Sequence, residues 1–224
     1  MPGMDVMIFG ATGMVGQGLL RECLLDPDVK RVVTVGRTKT GQNHPKLEES
    51  VPSDLYDLSP LSERLSGFDA CFFCLGVASA GMSEEAYTRV TYDLTVGTAT
   101  QLARLNPGMT FIYVSGAGAD STEKGRVMWA RVRGKTENAI LRLPFKRAYV
   151  FRPAGIQPMH GIKSRTRLYR LFYFVLTPFL PVMRRMLPRF MTTTEHLGKA
   201  MIRAARNGAP KAILHTEDIN GLSA

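Results

Sequence analysis

The stretch Met7-Ile8-Phe9-Gly10-Ala11-Thr12-Gly13-Met14-Val15-Gly16 decides how this chain is read. An apolar run, Val6 to Phe9, ends in Gly10; Gly13 and Gly16 follow, and an amphipathic segment begins. That order reads as strand, tight turn and helix. Gly10 permits the turn, Gly13 lets a ligand approach the backbone, and Gly16 lets the helix pack close to the strand. The helix start offers unpaired N–H groups and the positive end of its dipole, which suits a phosphate. The pattern points to a dinucleotide held by Gly10, Thr12, Gly13, Met14, Val15 and Gly16. The competing reading is a purely structural turn.

The G-x-x-G-x-x-G spacing, with Ala11-Thr12 inside it, resembles the short-chain dehydrogenase/reductase superfamily, above all its extended and atypical branches. The resemblance implies a Rossmann-like fold and a nicotinamide dinucleotide. The rest of the chain alternates accordingly. Helix is expected from about Val15 to Leu25, a buried strand over Arg31 to Val35, and a weaker strand near Glu48 to Val51. The continuous apolar run Ala70-Cys71-Phe72-Phe73-Cys74 fits a parallel strand covered on both faces. A long helix is expected over Glu84 to Leu105, stopped by Asn106-Pro107-Gly108. Thr110 to Ser115 and Arg147 to Phe151 read as strands around a helix from about Val127 to Leu141. The fold class expected is α/β, a doubly wound, mostly parallel Rossmann-like sheet with a small C-terminal helical lobe. Residues 1–224 form one domain in this reading, with 157–192 as the lobe or cover.

The second strand ends at Gly36-Arg37, where an NAD-preferring site usually carries an acid for the ribose 2′-hydroxyl. Here Arg37 and Lys39 offer positive charge instead, suited to a 2′-phosphate, so NADP is expected over NAD. The bland alternative leaves Arg37 stacked on the adenine or in solvent. The resemblance places Asp54-Leu55 beside the adenine, although an ordinary cap explains the pair equally well. It also places Leu75-Gly76 beneath the cofactor and puts Pro153 of Arg152-Pro153-Ala154-Gly155 beside the nicotinamide.

The superfamily's reaction uses a Tyr and a Lys four residues later on one helix face. None of the seven tyrosines here has a Lys at that spacing. Related sequences read Tyr-x-x-x-Lys-Gly; aligned through Gly134, Trp129 stands for the Tyr and Arg133 for the Lys. An indole N–H donates a hydrogen bond but is no proton acid near neutral pH, and a guanidinium stays protonated. Ser115 fits the substrate-orienting Ser. The motifs from Gly10 to Gly155 resemble the atypical-reductase group that contains the human Tat-interacting protein. The expectation is an NADP(H)-binding protein with its standard hydride chemistry lost or altered, acting as a cofactor sensor or partner-binding protein. The alternative is an active oxidoreductase or epimerase-like enzyme using Ser115 and a non-standard proton donor.

Lys+Arg 29 against Asp+Glu 19 gives a net charge of +10, which suits anionic partners or simply a basic surface. No nucleic-acid motif is present and aromatics do not interleave with the basic residues, which argues against nucleic acid. The three cysteines suit a reducing compartment. Cys71-x-x-Cys74 lies in an apolar strand without further ligands, so no metal is expected. His44, His160, His196 and His215 are not spaced as a metal site. The first strand begins at the very start of the chain, so a cytoplasmic protein without a signal peptide is expected.

Between Lys163 and Arg189 an uncharged run, Leu171 to Met183, is flanked by Lys163, Arg165, Arg167, Arg170, Arg184, Arg185 and Arg189. It is shorter than the roughly 20 residues of a bilayer span, and Pro178 and Pro181 interrupt it. It reads either as a cover over the cleft or a partner surface, or as a peripheral anchor on an anionic membrane. A homodimer through the Glu84 to Leu105 helix, by its Thr91, Thr95 and Thr98 face, is a further expectation from the resemblance. Thr192-x-x-Glu195 reads as a capping box for a helix to Arg206, ended by Gly208, before a last strand at Ala212 to His215.

Overall fold

In a computed structural model of the chain, residues 3–162 and 189–223 are described. The strands are β1 (Met4–Phe9), β2 (Val29–Val35), β3 (Leu47–Ser50), β4 (Ala70–Phe73), β5 (Thr110–Val114), β6 (Arg147–Arg152), β7 (Gly155–Gln157), β8 (Met191–Thr193) and β9 (Ile213–His215). The helices are α1 (Met14–Leu25), α2 (Glu84–Thr88), α3 (Leu94–Leu105), α4 (Met128–Leu141), α5 (Thr194–Asn207) and α6 (Thr216–Ser223). A seven-stranded sheet runs β3-β2-β1-β4-β5-β6-β9, parallel throughout, and β7 and β8 form a separate parallel pair. The doubly wound expectation is met.

Period-two alternation in β1 explains the two layers. Val6 and Ile8 join Leu19, Cys23, Leu197 and Met201 on the side of α1 and α5. Met7 and Phe9 join Ala99, Leu102 and Ile140 on the side of α3 and α4. Phe9, Phe73, Phe111 and Phe145 run through that second layer, with successive ring centroids 5.4, 6.0 and 4.8 Å apart. All these side chains are apolar because parallel strands covered on both faces meet no water. α1 and α5 touch through glycine: a Cβ on Gly18 would lie 2.6 Å from Thr194 Cβ, and one on Gly198 2.9 Å from Glu22 Cγ.

Several expectations need correction. The helix expected over Glu84 to Leu105 contains a π turn, Arg89–Asp93, between α2 and α3. Thr91, Thr95 and Thr98 are buried within the chain, so that face is turned inward rather than offered to a second copy. The N-cap of α5 is Thr193, whose hydroxyl accepts from the His196 N–H at 2.9 Å; Thr192 lies one residue earlier, inside β8. A run of Thr192-Thr193-Thr194 offers three chemically equal caps, and the pairing of β8 with β7 selects among them. β7 and α6 were not foreseen: three residues carry too little periodicity for a strand, and α6 follows β9 without a loop. The basic apolar stretch expected to cover the cleft or meet a membrane lies outside the described residues, except Arg189.

Glu195, in the first turn of α5, accepts hydrogen bonds from Lys199 Nζ at 2.5 Å and pairs with His160 Nε2 at 2.8 Å. These contacts hold its carboxyl down to about 2 from an ordinary 4.5. A depressed acid stabilises the fold above its unfolded pKa and loses that contribution as pH falls through the folded one. Between about pH 6 and about pH 3, urea unfolding of wild type should therefore lose more stability than that of Glu195→Gln. Equal losses would remove this role.

Candidate functional site

The C-terminal ends of the parallel strands carry the site, as the topology requires where strand order reverses beside β1. β1 stops at Gly10, whose φ of +81° is a left-handed conformation that side chains disfavour. Gly13 N–H closes the turn onto Gly10 C=O at 3.0 Å, and Gly13 is the N-cap of α1 without a side-chain cap. The first-turn N–H groups of α1 are thereby left for a ligand. A Cβ on Gly10 would lie 2.8 Å from the backbone of Cys74 and Leu75, so β1 and the end of β4 can approach only with glycine there. Gly16 lies behind the turn, where a Cβ would fall 2.1 Å from Gly10 O. It permits packing and does not face the cleft.

A pocket of about 280 Å³ lies over the end of β2, walled by Gly10, Thr12, Gly36, Arg37, Thr40 and Leu75. It shares Gly10, Thr12, Arg37 and Leu75 with a larger cleft of about 830 Å³. That cleft also takes in Gly13, Met14, Val15, Gly76, Ser115, Trp129, Arg133 and Pro153. One groove thus brings together the expected residues from the glycine turn to Pro153. Arg37 is exposed and forms no ion pair among the described residues. Asp54 and Leu55 line neither space. Asp54 accepts from the Tyr56 N–H at 2.8 Å as a local turn, and Leu55 packs against the core.

At the far end Ser115 is 6% exposed, and its Oγ has no hydrogen-bond partner among the described residues. A buried hydroxyl without a partner is open to a hydrogen bond from a ligand or water atom in the cleft. Trp129 packs over Gly118, where a Cβ would be 3.1 Å from the indole. The guanidinium of Arg133 lies between the ends of β4 and β5. Its terminal nitrogens come 3.7 Å from a Cβ built on Gly76 and 3.5 Å from one on Gly116. Its Nε donates to Tyr87 Oη at 3.0 Å. Burial opposes the Arg133 charge, but the neighbouring Tyr113, Tyr87 and Glu137 more than offset it, and its pKa moves up. Burial pushes the Tyr113 phenol, behind the cleft, up to about 12, and the Cys74 thiol, on the cleft wall, up to about 12.

Arg152 of the Arg-Pro motif points away from the cleft. It is bidentate to the fully buried Glu137 of α4 and donates to Ser121 Oγ at 2.6 Å. Its role is to fix α4 to β6, while the following Pro153 reaches the cleft. Sequence reasoning missed Tyr87. Tyr87 has no Lys at the fourth following position on its own helix, and its cationic partner comes from another.

Residues 6–221 match the family described as NAD dependent epimerase/dehydratase. The chain belongs to that family. Among curated relatives, Protein HTATIP2 of Rattus norvegicus is 28% identical over 229 residues, covering 96% of this chain and 90% of its own. This matches the resemblance to the Tat-interacting group. Protein fmp52-1, mitochondrial, of Aspergillus oryzae is 32% identical over 160 residues, 68% of this chain and 66% of its own. Among solved structures, the Bordetella bronchiseptica enzyme WbmF in complex with NAD+ superposes with a TM-score of 0.68. It is 15% identical and covers 98% of this chain and 77% of its own. That likeness shows the fold. No helix among the described residues is long and apolar enough to cross a membrane.

Proposed function

We propose that this chain binds NADP(H) in the cleft and is an oxidoreductase-like protein whose standard Tyr/Lys proton transfer is altered. Trp129 and Arg133 carry this reading, because they line the nicotinamide end beside Ser115 where the family pattern puts the Tyr and Lys. The cradle fits the cofactor: an uncapped α1 start, a turn that admits no side chain at Gly10, and an unpartnered Ser115 Oγ. Gly10, Thr12, Gly13, Met14 and Val15 would hold the pyrophosphate, and Arg37 the 2′-phosphate. Leu75 and Gly76 would lie under the middle of the cofactor, and Pro153 and Arg133 would face its nicotinamide ribose. When bound, the dihydronicotinamide supplies a hydride equivalent to a carbonyl carbon. Ser115 orients the carbonyl oxygen by donating its hydroxyl. Arg133 keeps a positive charge beside that oxygen without giving up a proton.

Calorimetric titration with NADPH and, separately, NADH tests the reading. NADPH should bind at least about 10-fold more tightly, the size of one charge-assisted contact. Arg37→Glu should weaken NADPH by about 10- to 100-fold and leave NADH equal or tighter. An Arg37→Glu protein with unchanged NADPH affinity would remove Arg37 from the site. Failure of both nucleotides to bind would remove the reading as a whole.

A further inference from the structure

The cleft needs a proton for any carbonyl it reduces, and its walls restrict the source. Among the described residues, no carboxylate, imidazole or ammonium group lines it. Arg37 and Arg133 remain protonated. The Cys74 thiol, pushed up to about 12, is a poor acid at neutral pH. Trp129 has no acidic proton to give. Among the described tyrosines Tyr56, Tyr87, Tyr92, Tyr113 and Tyr149, Tyr87 alone lines the cleft. It is 1% exposed, and its oxygen accepts from Arg133 Nε at 3.0 Å. Its own hydroxyl hydrogen has no acceptor among the described residues.

Three contacts tie α4 to the segment that carries Tyr87. α4 presents Arg131, Arg133 and Lys135 toward the α2 segment. Arg131 bridges Glu84 at 2.7 Å, Arg133 meets Tyr87, and the Lys135 ammonium lies 4.5 Å from the Tyr92 ring centroid. Glu84 and Tyr87 are three residues apart on α2 and so share a face. The π turn follows immediately, a feature that often re-aims side chains at functional sites.

We infer that Tyr87, brought from α2 onto Arg133, is the proton donor that takes the place of the missing tyrosine on α4. The inference rests on the nucleotide reading above. As the hydride equivalent forms the new C–H bond, the carbonyl π bond breaks and its electron pair moves to oxygen. The Tyr87 O–H bond breaks, its proton goes to that oxygen, and an alcohol results. The phenolate left behind sits against the Arg133 cation and regains a proton from water. A phenol with an adjacent guanidinium thus does what a phenol with an adjacent ammonium does elsewhere, from a different helix.

The test uses the full chain, NADPH and two probes. Reduction of p-nitrobenzaldehyde is followed by loss of NADPH absorbance. Benzamide, a carbonyl that is not reduced, is titrated into NADPH-loaded protein carrying tyrosine labelled with carbon-13 at Cζ. Tyr87→Phe identifies the Tyr87 resonance by its disappearance, and Tyr92→Phe, outside the cleft, is the control. Tyr87→Phe should keep NADPH affinity within about twofold and KM within about threefold while kcat falls at least about 100-fold, the size of a general-acid contribution. The wild-type Tyr87 resonance should move when benzamide is added to the NADPH complex. Undiminished kcat in Tyr87→Phe, or a Tyr87 resonance that stays in place as benzamide is added, overturns the inference. Intact NADPH binding in those same samples leaves the nucleotide reading standing, whereas absent binding removes both.

Discussion

Arg152→Leu should unfold at a midpoint about 10 °C below wild type. The size follows from what the substitution leaves behind. Glu137 is 0% exposed and receives two hydrogen bonds from Arg152 Nε, at 3.1 and 3.0 Å, and a third from Nη2. Removing one partner of a buried pair strands the other's charge, at a cost of about 3–5 kcal/mol. A chain of this size loses roughly 2–4 °C per kcal/mol. Ser121 Oγ also loses its donor, so the loop before α4 loosens with it. The paired change Arg152→Leu with Glu137→Leu should recover most of the loss, because two apolar side chains bury no charge. Scanning calorimetry decides: a paired variant no more stable than the single one would mean that lost packing, not the stranded carboxylate, sets the cost.

Gly16→Ala should lower NADPH affinity by about 100-fold, as a shift of about 1 Å in a positioned group does. The new Cβ would stand 2.1 Å from Gly10 O and 2.7 Å from Ala11 Cα, both backbone atoms that cannot rotate away. Either the turn lifts or α1 retreats, and both displace the N–H groups aimed at the phosphates. Overpacking of this kind costs about 1–3 kcal/mol of stability, so the variant should still fold. Gly13→Ala is the informative partner. Its Cβ meets nothing nearer than Gly10 O at 3.4 Å, so the protein's own packing tolerates it. A loss of binding there reports on the ligand's approach alone. Should Gly16→Ala bind NADPH like wild type, the turn would be free to move and its rigidity irrelevant.

Much of this was legible because parallel strands must be apolar on both faces and because glycine has few reasons to recur at fixed spacing. Val6 to Gly16 announced strand, turn and helix, and Ala70 to Phe73 announced a central strand. The cleft residues from Gly10 to Pro153, with Trp129 and Arg133 where the family pattern has Tyr and Lys, meet in one groove. What escaped has a common cause: it depends on contacts between segments far apart in the chain. Thr193 caps α5 instead of Thr192 because β8 pairs with β7, 36 residues upstream at Gln157. The Arg-Pro motif signalled Pro153, but nothing in its spacing showed that the carboxylate of Glu137, 15 residues earlier, draws the Arg152 side chain away from the cleft. Tyr87 and Arg133 are 46 residues apart, and no spacing rule on one helix could pair them.

The π turn at Arg89–Asp93 has a consequence for how this chain can tolerate change. Each residue of an α-helix advances the side-chain direction by about 100°. A π turn holds one residue more than the α turn it replaces, so it resets the angular phase between α2 and α3. Loss of one residue there would leave α3 seated on the sheet and swing α2 by that angle. Glu84, Tyr87 and the π-turn residue Tyr92 would then fall out of step with Arg131, Arg133 and Lys135. The extra residue therefore works as a phase adjuster between two halves of one rod, one half serving the core and the other serving the cleft.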